Sequence, residues 1–288
     1  MRTLLCAIGR MENEYIREWV EYNKNIGFTN ICLFDNNYDG EQDFRDVIGD
    51  YIESGYVILK DYRNKSLCQI EAYTECYTEY GNEYDWLAFF DCDEFITLMF
   101  HNNISDYLSD KMFDEFYVIK LNWALYGDND MLYNDGRPLT ERFKYPIPTN
   151  KPTHNGDIES RSTKSIVRGS QKIKTNENDN GFVFLDAHLV NLCPACNNAG
   201  KEVLCTERMI PTTYEYAYLR HYSTKTAREY CNKIRRGYPD IFGTYYRDIN
   251  GYLYLIENIF FTVNNITSEK IQIFKDVLGA DASYLLNN

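Results

Sequence analysis

An α/β fold built on a parallel sheet is predicted by three observations. Short apolar runs alternate with helix-period segments over roughly the first 95 residues. Consecutive runs are separated by segments long enough for the crossover that parallel pairing demands. Two of the runs, at 30–34 and 86–90, end in carboxylates and turn-forming residues.

Each element has its own signal. Residues 4–8 are uniformly apolar and precede Gly9, the pattern of a strand buried on both faces. The spacing of Tyr15, Ile16, Trp19, Val20 and Ile26 predicts a helix over 12–26, with Gly27 as its stop. Strand 30–34 runs into Asp35-Asn36-Asn37-Tyr38-Asp39-Gly40, a polar turn. A short helix at 44–53, a strand at 56–61 and a helix at 66–80 follow, the last carrying Gln69, Ala72, Tyr73 and Cys76. Strand 86–90 leads into Asp91-Cys92-Asp93-Glu94. Beyond it the pattern becomes mixed, with strand-like segments at 116–125, 165–168, 182–190 and 203–205. The segment 144–160 is rich in Pro, Thr, Asn and Gly and reads as a long loop, the kind that often serves as a lid or binding segment. Helices are expected at 226–236 and 268–278, the second capped by Ser268.

Composition narrows the function. A net charge of -13 and a sequence pI near 4.8 exclude a broad electrostatic nucleic-acid surface. No apolar run reaches the roughly 18 residues of a membrane-spanning helix. The apolar stretch after Met1-Arg2 is short and stops at Arg10, unlike a secretory signal. Cys6, Cys32 and Cys92 lie in or beside expected strands, which fits reduced thiols and a cytoplasmic protein. Cys193 and Cys196, with Cys205 nearby, lack a second pair or a His at zinc-site spacing, so a loop between strands is expected there.

The acidic run after the apolar strand is the strongest chemical signal. Side chains alternate along an extended chain, so Asp91 and Asp93 are expected to point the same way and share one cation. In parallel sheets, ligands sit outside the carboxyl ends of the strands. Asp35 and the Asp91–Asp93 run are both expected at that edge.

Taken in order, several segments match one pattern. These are Glu12 to Trp19; Phe34-Asp35-Asn36; Gln69 with Tyr73 and Cys76; and Asp85 through Phe95. They continue with Lys164 to Arg168, Ala187-His188, Arg220-His221-Tyr222-Ser223-Thr224-Lys225-Thr226, Glu229-Tyr230, Lys233 and Arg236-Gly237. This order resembles the GT-A glycosyltransferases of family 92 and the related bacterial family 2-like enzymes, which include lipopolysaccharide galactosyltransferases. The resemblance spans roughly residues 2 to 240. It implies a GT-A, Rossmann-like nucleotide-sugar-binding sheet with helices on both faces and a mixed acceptor-side half. It implies one domain over 1–288, with a nucleotide-binding half at about 1–100, an acceptor side at about 101–240 and a helical extension at 241–288.

The implied activity is inverting, metal-dependent transfer of a hexose, galactose favoured, from a UDP-sugar to a glycan or lipid-linked saccharide. Bacterial surface polysaccharide synthesis at the inner face of a membrane is the implied setting, with peripheral membrane association left open. The resemblance places nucleotide-sugar contacts at Ala7, Arg10, Glu14, Asp35, Asn36, Gln69, Asp91, Lys225 and Arg236, with Asp39 as a possible helper. It places Mn²⁺ (or Mg²⁺) on Asp91, Asp93 and His221, where the cation would stabilise the departing diphosphate. A mixed carboxylate and imidazole shell favours Mn²⁺. Inversion needs a general base for the acceptor hydroxyl. Asp128, Asp130, Asp157 and Glu159 are the candidates. Trp123, Tyr126 and His188 fall on the acceptor side, where Trp123 and Tyr126 fit either a sugar-stacking platform or core packing. Two other readings stand beside this one. A nucleotidyltransferase would want a glycine-rich basic loop after the first strand, and Ile8-Gly9-Arg10-Met11 is poor in glycine. A non-catalytic carbohydrate- or nucleotide-binding protein on the same fold would bind UDP and metal without turnover.

Overall fold

The structure, a computed structural model, describes residues 1–152, 158–172, 184, 188–191, 194–237 and 248–287. The chain divides into two compact units, 1–123 with 161–219, and 124–160 with 220–288.

The first unit is the expected α/β body. Its elements begin with β1 (Thr3–Gly9), α1 (Ile16–Asn25), β2 (Asn30–Asp35), α2 (Arg45–Glu53), β3 (Val57–Asp61), α3 (Gln69–Tyr80) and β4 (Trp86–Phe89). β5 (Glu94–Leu98), α4 (Ile104–Leu108), β6 (Val118–Leu125), β7 (Thr163–Arg168), β8 (Ala195–Asn197), β9 (Glu202–Val203) and β10 (Ala217–His221) follow. β6 and β10 continue at their C-terminal ends into the second unit. The strand order is β3-β2-β1-β4-β7-β6-β10-β5, with β8 and β9 as a side branch from β6. The first four strands pair in parallel, and β7 runs antiparallel to both β4 and β6. Every residue of β1 is buried, as its uninterrupted apolar run required. Leu4, Cys6 and Ile8 pack with Ala72, Tyr73, Cys76 and Tyr77 of α3. On α1, the Trp19 indole donates to the Glu94 carbonyl at 2.9 Å, tying the helix to the start of β5.

The second unit holds α5 (Leu139–Arg142), α6 (Ala227–Arg236), α7 (Ile249–Leu255), a π-helical turn (Ile256–Phe260), α8 (Phe261–Val263) and α9 (Ser268–Leu278). Tyr230, Ile234, Leu255, Phe260, Phe261, Ile271 and Phe274 form its core. α6 starts with a reciprocal capping box between Thr226 and Glu229. Glu229 also takes a two-pronged ion pair from buried Arg142, at 2.9 and 2.8 Å.

Several sequence expectations need correction. The helix expected from residue 12 begins at Ile16, because the Glu12 carbonyl closes a turn with the amides of Tyr15 and Ile16 first. The cap of α9 is Thr267, whose hydroxyl accepts from the Lys270 amide; Ser268 is already helical. β5 and β10 were not expected from the pattern, and no separate helix bounds were expected within 249–263. Of the segment 182–190, the described residues place a bridge between Phe184 and Val190. Cys205 is disulfide-bonded, against the expectation of wholly reduced thiols, while Cys6, Cys32, Cys68, Cys76, Cys92, Cys196 and Cys231 are free and buried.

Candidate active site

The loops after the first three parallel strands are stitched together by one tripeptide. Asp35 ends β2 in register with Gly9 of β1 and Asp61 of β3. Its carboxylate accepts from the Asn37 amide and side chain at 3.0 and 2.6 Å, and from Arg63 at 2.9 Å. Asn36 donates to the carbonyls of Tyr62 and Lys65 at 2.9 Å each. Asn37 accepts the Met11 amide at 2.8 Å. Asp35 and Asn36, both expected as nucleotide contacts, are thus buried and engaged in holding the edge of the sheet. Arg63 was missed, since an Arg in a turn carries no pattern of its own. Arg10 pairs with Glu41 at 2.9 and 2.5 Å and stacks over Tyr38 at 4.0 Å. That guanidinium holds the Glu41 carboxyl below its ordinary value. Ala7 is buried in the middle of β1 opposite Leu33, and Glu14 is exposed ahead of α1.

The acidic run lies where expected but is built differently. β4 ends at Phe89, and the Glu94 amide donates to the Asp91 carbonyl at 3.0 Å, so Asp91 to Glu94 form a tight turn. Strand alternation therefore does not align Asp91 with Asp93. Asp91 instead points at neighbours of its own unit. Its Oδ1 accepts from Gln69 at 3.0 Å and Tyr73 at 3.2 Å, both on α3. Its Oδ2 lies 2.9 Å from the Nζ of Lys164 on β7, an ion pair without hydrogen-bond alignment. Lys164 is fully buried, whereas the Asp91 side chain keeps a third of its surface. Burial works to raise the Asp91 carboxyl, but Lys164 outweighs it and holds Asp91 below the ordinary carboxylate range. Burial likewise opposes the Lys164 charge, and Asp91 and Glu94 overcome it. Glu94 is fully buried and accepts the Asp91 amide at 3.0 Å; burial pushes its carboxyl well above the ordinary value. Asp93 is nearly buried in the same turn.

His188 sits in the same unit. Its Nδ1 is 2.8 Å from the Thr163 carbonyl, its Nε2 is 3.1 Å from Arg208, and its ring meets Trp123 edge-on at 5.3 Å. Burial, with Lys164 and Arg208 nearby, holds the imidazole well below its ordinary pKa, so it is neutral. Trp123 is nearly buried, its carbonyl accepting from Tyr214 at 2.6 Å.

In the second unit, Asp128 is buried and 2.7 Å from the Nζ of buried Lys270. Asp130 is exposed, 3.2 Å from the same ammonium. Glu159 is half-buried on a short 3₁₀ turn (Glu159–Arg161), and Asp157 lies outside the described residues. Tyr126 is packed on Tyr222 at 5.0 Å, which in turn meets Phe143. His221 closes β10 and its carbonyl accepts the Tyr126 amide at 3.1 Å. Lys225 is buried in a left-handed backbone conformation, and Arg236 ends α6. Among the described residues, no three His, Cys, Asp or Glu side chains cluster as a metal site.

A parallel sheet whose carboxyl edge carries a tied polar loop and an acidic turn defines a class of α/β proteins that bind ligands at that edge. The sequence profile of glycosyltransferase family 92 matches residues 5–234, and the chain belongs to that family. A glycosyltransferase family 92 protein of Ricinus communis is 28% identical over 102 residues, 35% of this chain and 18% of that protein. One of Oryza sativa subsp. japonica is 24% identical over 104 residues, again covering 18% of the relative. The matched segment thus spans about a fifth of the length of these relatives. Among solved structures, TarS of S. aureus overlaps with a TM-score of 0.42 and 13% identity, covering 99% of this chain and 45% of that one. TarS 1-349 in complex with UDP-GlcNAc gives 0.41 and 13%, covering 96% and 72%.

Proposed function

We propose that the chain is an inverting glycosyltransferase that moves a hexose from a UDP-sugar to a glycan or lipid-linked saccharide. Membership of family 92 over residues 5–234 carries this reading, because that span takes in Asp35, Gln69, Asp91, Asp93, His221 and Lys225. Galactose as the sugar, and bacterial surface polysaccharide or lipopolysaccharide synthesis as the setting, are the narrower parts of the proposal. They rest on the resemblance to the bacterial enzymes. No described helix is long and apolar enough to cross a membrane. A cytoplasmic site of action is proposed from the seven free buried cysteines, with the disulfide at Cys205 as the observation against it.

In this reading the acceptor hydroxyl oxygen bonds to the anomeric carbon as the bond to UDP breaks, and its proton passes to a carboxylate. Of the four candidates, Asp130 and Glu159 keep accessible surface, while Asp128 is sealed against Lys270. Asp157 remains a candidate on sequence alone. Gln69, Tyr73 and Lys164 fix the Asp91 carboxylate from three directions. Asp91 and Asp93 both remain proposed carboxylates for a cation, Asp91 with the more open side chain and Asp93 nearly buried in the same turn. Mn²⁺ or Mg²⁺, when bound, would neutralise charge developing on the diphosphate. His221 and Lys225 keep their proposed roles at the metal and the phosphates. Arg236, Arg10, Glu14 and Ala7 remain proposed donor contacts.

The test is calorimetric titration of UDP and a set of UDP-sugars, with Mn²⁺ and then with EDTA, alongside turnover of Asp93→Ala. Metal-dependent UDP binding that selects one sugar is expected, with turnover lost in the variant and its thermal midpoint kept. Full activity in Asp93→Ala would sink the metal assignment. Folded protein that binds no UDP compound would sink the donor class.

A further inference from the structure

The geometry points to Arg208 as a residue that selects an acceptor carrying an oxyanion, a carboxylate or a phosphate on the glycan, with His188 as the residue that positions it. This rests on the transferase reading for the word acceptor, but its observations are separate and all lie in the first unit.

Arg208 is exposed, yet its backbone is tied by hydrogen bonds at and beside it. Its carbonyl accepts the Thr163 hydroxyl at 3.0 Å. Met209 bridges to Ser162, and the Ile210 amide donates to the Arg161 carbonyl at 3.0 Å. Just ahead of it, the fully buried Lys120 ammonium grips the carbonyls of Leu204, Cys205 and Glu207. These three bonds hold the loop immediately ahead of Arg208.

The guanidinium is anchored at one nitrogen, 3.1 Å from His188 Nε2. Arginine has no acceptor, so the Arg208–His188 contact requires that Nε2 accept and that Nδ1 carry the proton, which it gives to the Thr163 carbonyl. The imidazole is packed against Trp123 and buried, which leaves it one orientation. The chain carries 43 acidic residues against 30 basic ones, but among the described residues no carboxylate pairs with Arg208. A neutral ring orients this cation without neutralising it. The remaining N–H donors form a planar fork suited to a carboxylate or phosphate. Lys164, the next cation beside His188, is already spent on Asp91.

The probes are matched neutral, uronate-bearing and phosphate-bearing oligosaccharides on an array, read with the intact chain and no donor. The wild type is expected to retain one anionic class over its neutral match by about 10- to 100-fold, the worth of a charge-assisted pair. The uronate and phosphate arms separate the two sources of the oxyanion. Arg208→Ala is expected to lose the preference at an unchanged thermal midpoint. His188→Gln, whose amide can both donate to Thr163 and accept from Arg208, should keep most of it, whereas His188→Phe should lose it. Equal retention of neutral and anionic probes by the wild type would overturn the proposal, as would an intact preference in Arg208→Ala. An intact preference in His188→Phe would overturn the positioning role. Wild-type UDP calorimetry on the same preparation keeps the two readings apart. No UDP binding beside a clear anion preference would remove the transferase reading and leave this one standing.

Discussion

Lys164 and Lys270 are both almost wholly buried lysines, and each is an ion-pair partner of an aspartate in an acidic turn. Their surroundings differ in the one respect that separates a site from a scaffold. Asp128 is as sealed as its lysine, and Lys270 spends its other contacts on Asp130 and the Asn265 carbonyl, closing the turn on itself. Asp91 keeps a third of its side-chain surface, and its other oxygen is aimed by Gln69 and Tyr73. The two carboxyls also shift in opposite directions. Burial dominates at Asp128 and raises it, while Lys164 prevails over burial at Asp91 and lowers it. A buried ion pair with one open face holds a charged carboxylate ready at an edge; one with no open face only joins chain segments.

The largest expected effect breaks the closed pair. Lys270→Ala leaves the Asp128 charge buried without its main partner, a defect of about 3–5 kcal/mol. Urea unfolding should show it as a large drop in the midpoint. The double variant Lys270→Met with Asp128→Leu should recover most of the loss, because replacing both charges removes the desolvation cost along with the attraction. If the single variant unfolds like the wild type, Asp128 has solvent access and the distinction drawn between the pairs fails.

A smaller stability effect, with a larger functional one, is expected at the open pair. Lys164→Met should cost about 1–3 kcal/mol, because Asp91 can turn part of its charge toward water. UDP affinity should fall by about tenfold or more, the consequence of an Asp91 that is no longer held charged in one orientation. Unchanged UDP binding in a folded Lys164→Met would make this pair a scaffold like the other.

How much of this was legible in the sequence follows the same divide. The parallel half was legible because β1, β2 and β4 are buried on both faces and write themselves as unbroken apolar runs. The acidic turn was found for the same reason, since it follows β4 directly. Its geometry was misread, because one backbone bond, from the Glu94 amide to the Asp91 carbonyl, replaces strand with turn, and no side-chain pattern announces that choice. Lys164 falls in the segment Lys164 to Arg168 that carries the family resemblance, just ahead of the expected strand at 165–168, and nothing in the sequence marks it as the partner of Asp91. Lys120, inside the mostly apolar β6, does carry a signal of a buried cation, whereas β7 reads Thr-Lys-Ser-Ile-Val-Arg and gives Lys164 none. In the second unit, the stretch 249–263 mixes Gly251 with β-branched and aromatic residues and is interrupted by a π-helical turn at Ile256–Phe260, which blurs any 3.6-residue period. Pairs such as Arg142 with Glu229 join positions far apart in the chain, and a single sequence holds no record of that proximity.

The smallest effect sharpens the comparison through pH. The Asp128 carboxyl is raised above its ordinary value by burial, which Lys270 only partly offsets. In the interval just above that ordinary value, the folded protein therefore holds more proton at Asp128 than the unfolded chain does. Stability from this group is present at the acid end and is lost as pH rises through the raised pKa. The expected contribution is under about 1.4 kcal/mol per pH unit, the limit for one proton. Other carboxylates titrate in the same range, so the quantity to compare is the difference in slope between wild type and Asp128→Asn from about pH 4 to 6. The wild type should lose stability faster with rising pH, or gain it more slowly, than the variant. A variant slope lying below the wild-type slope would mean that Lys270 prevails over burial at Asp128 too. The closed pair would then differ from the open one in exposure alone.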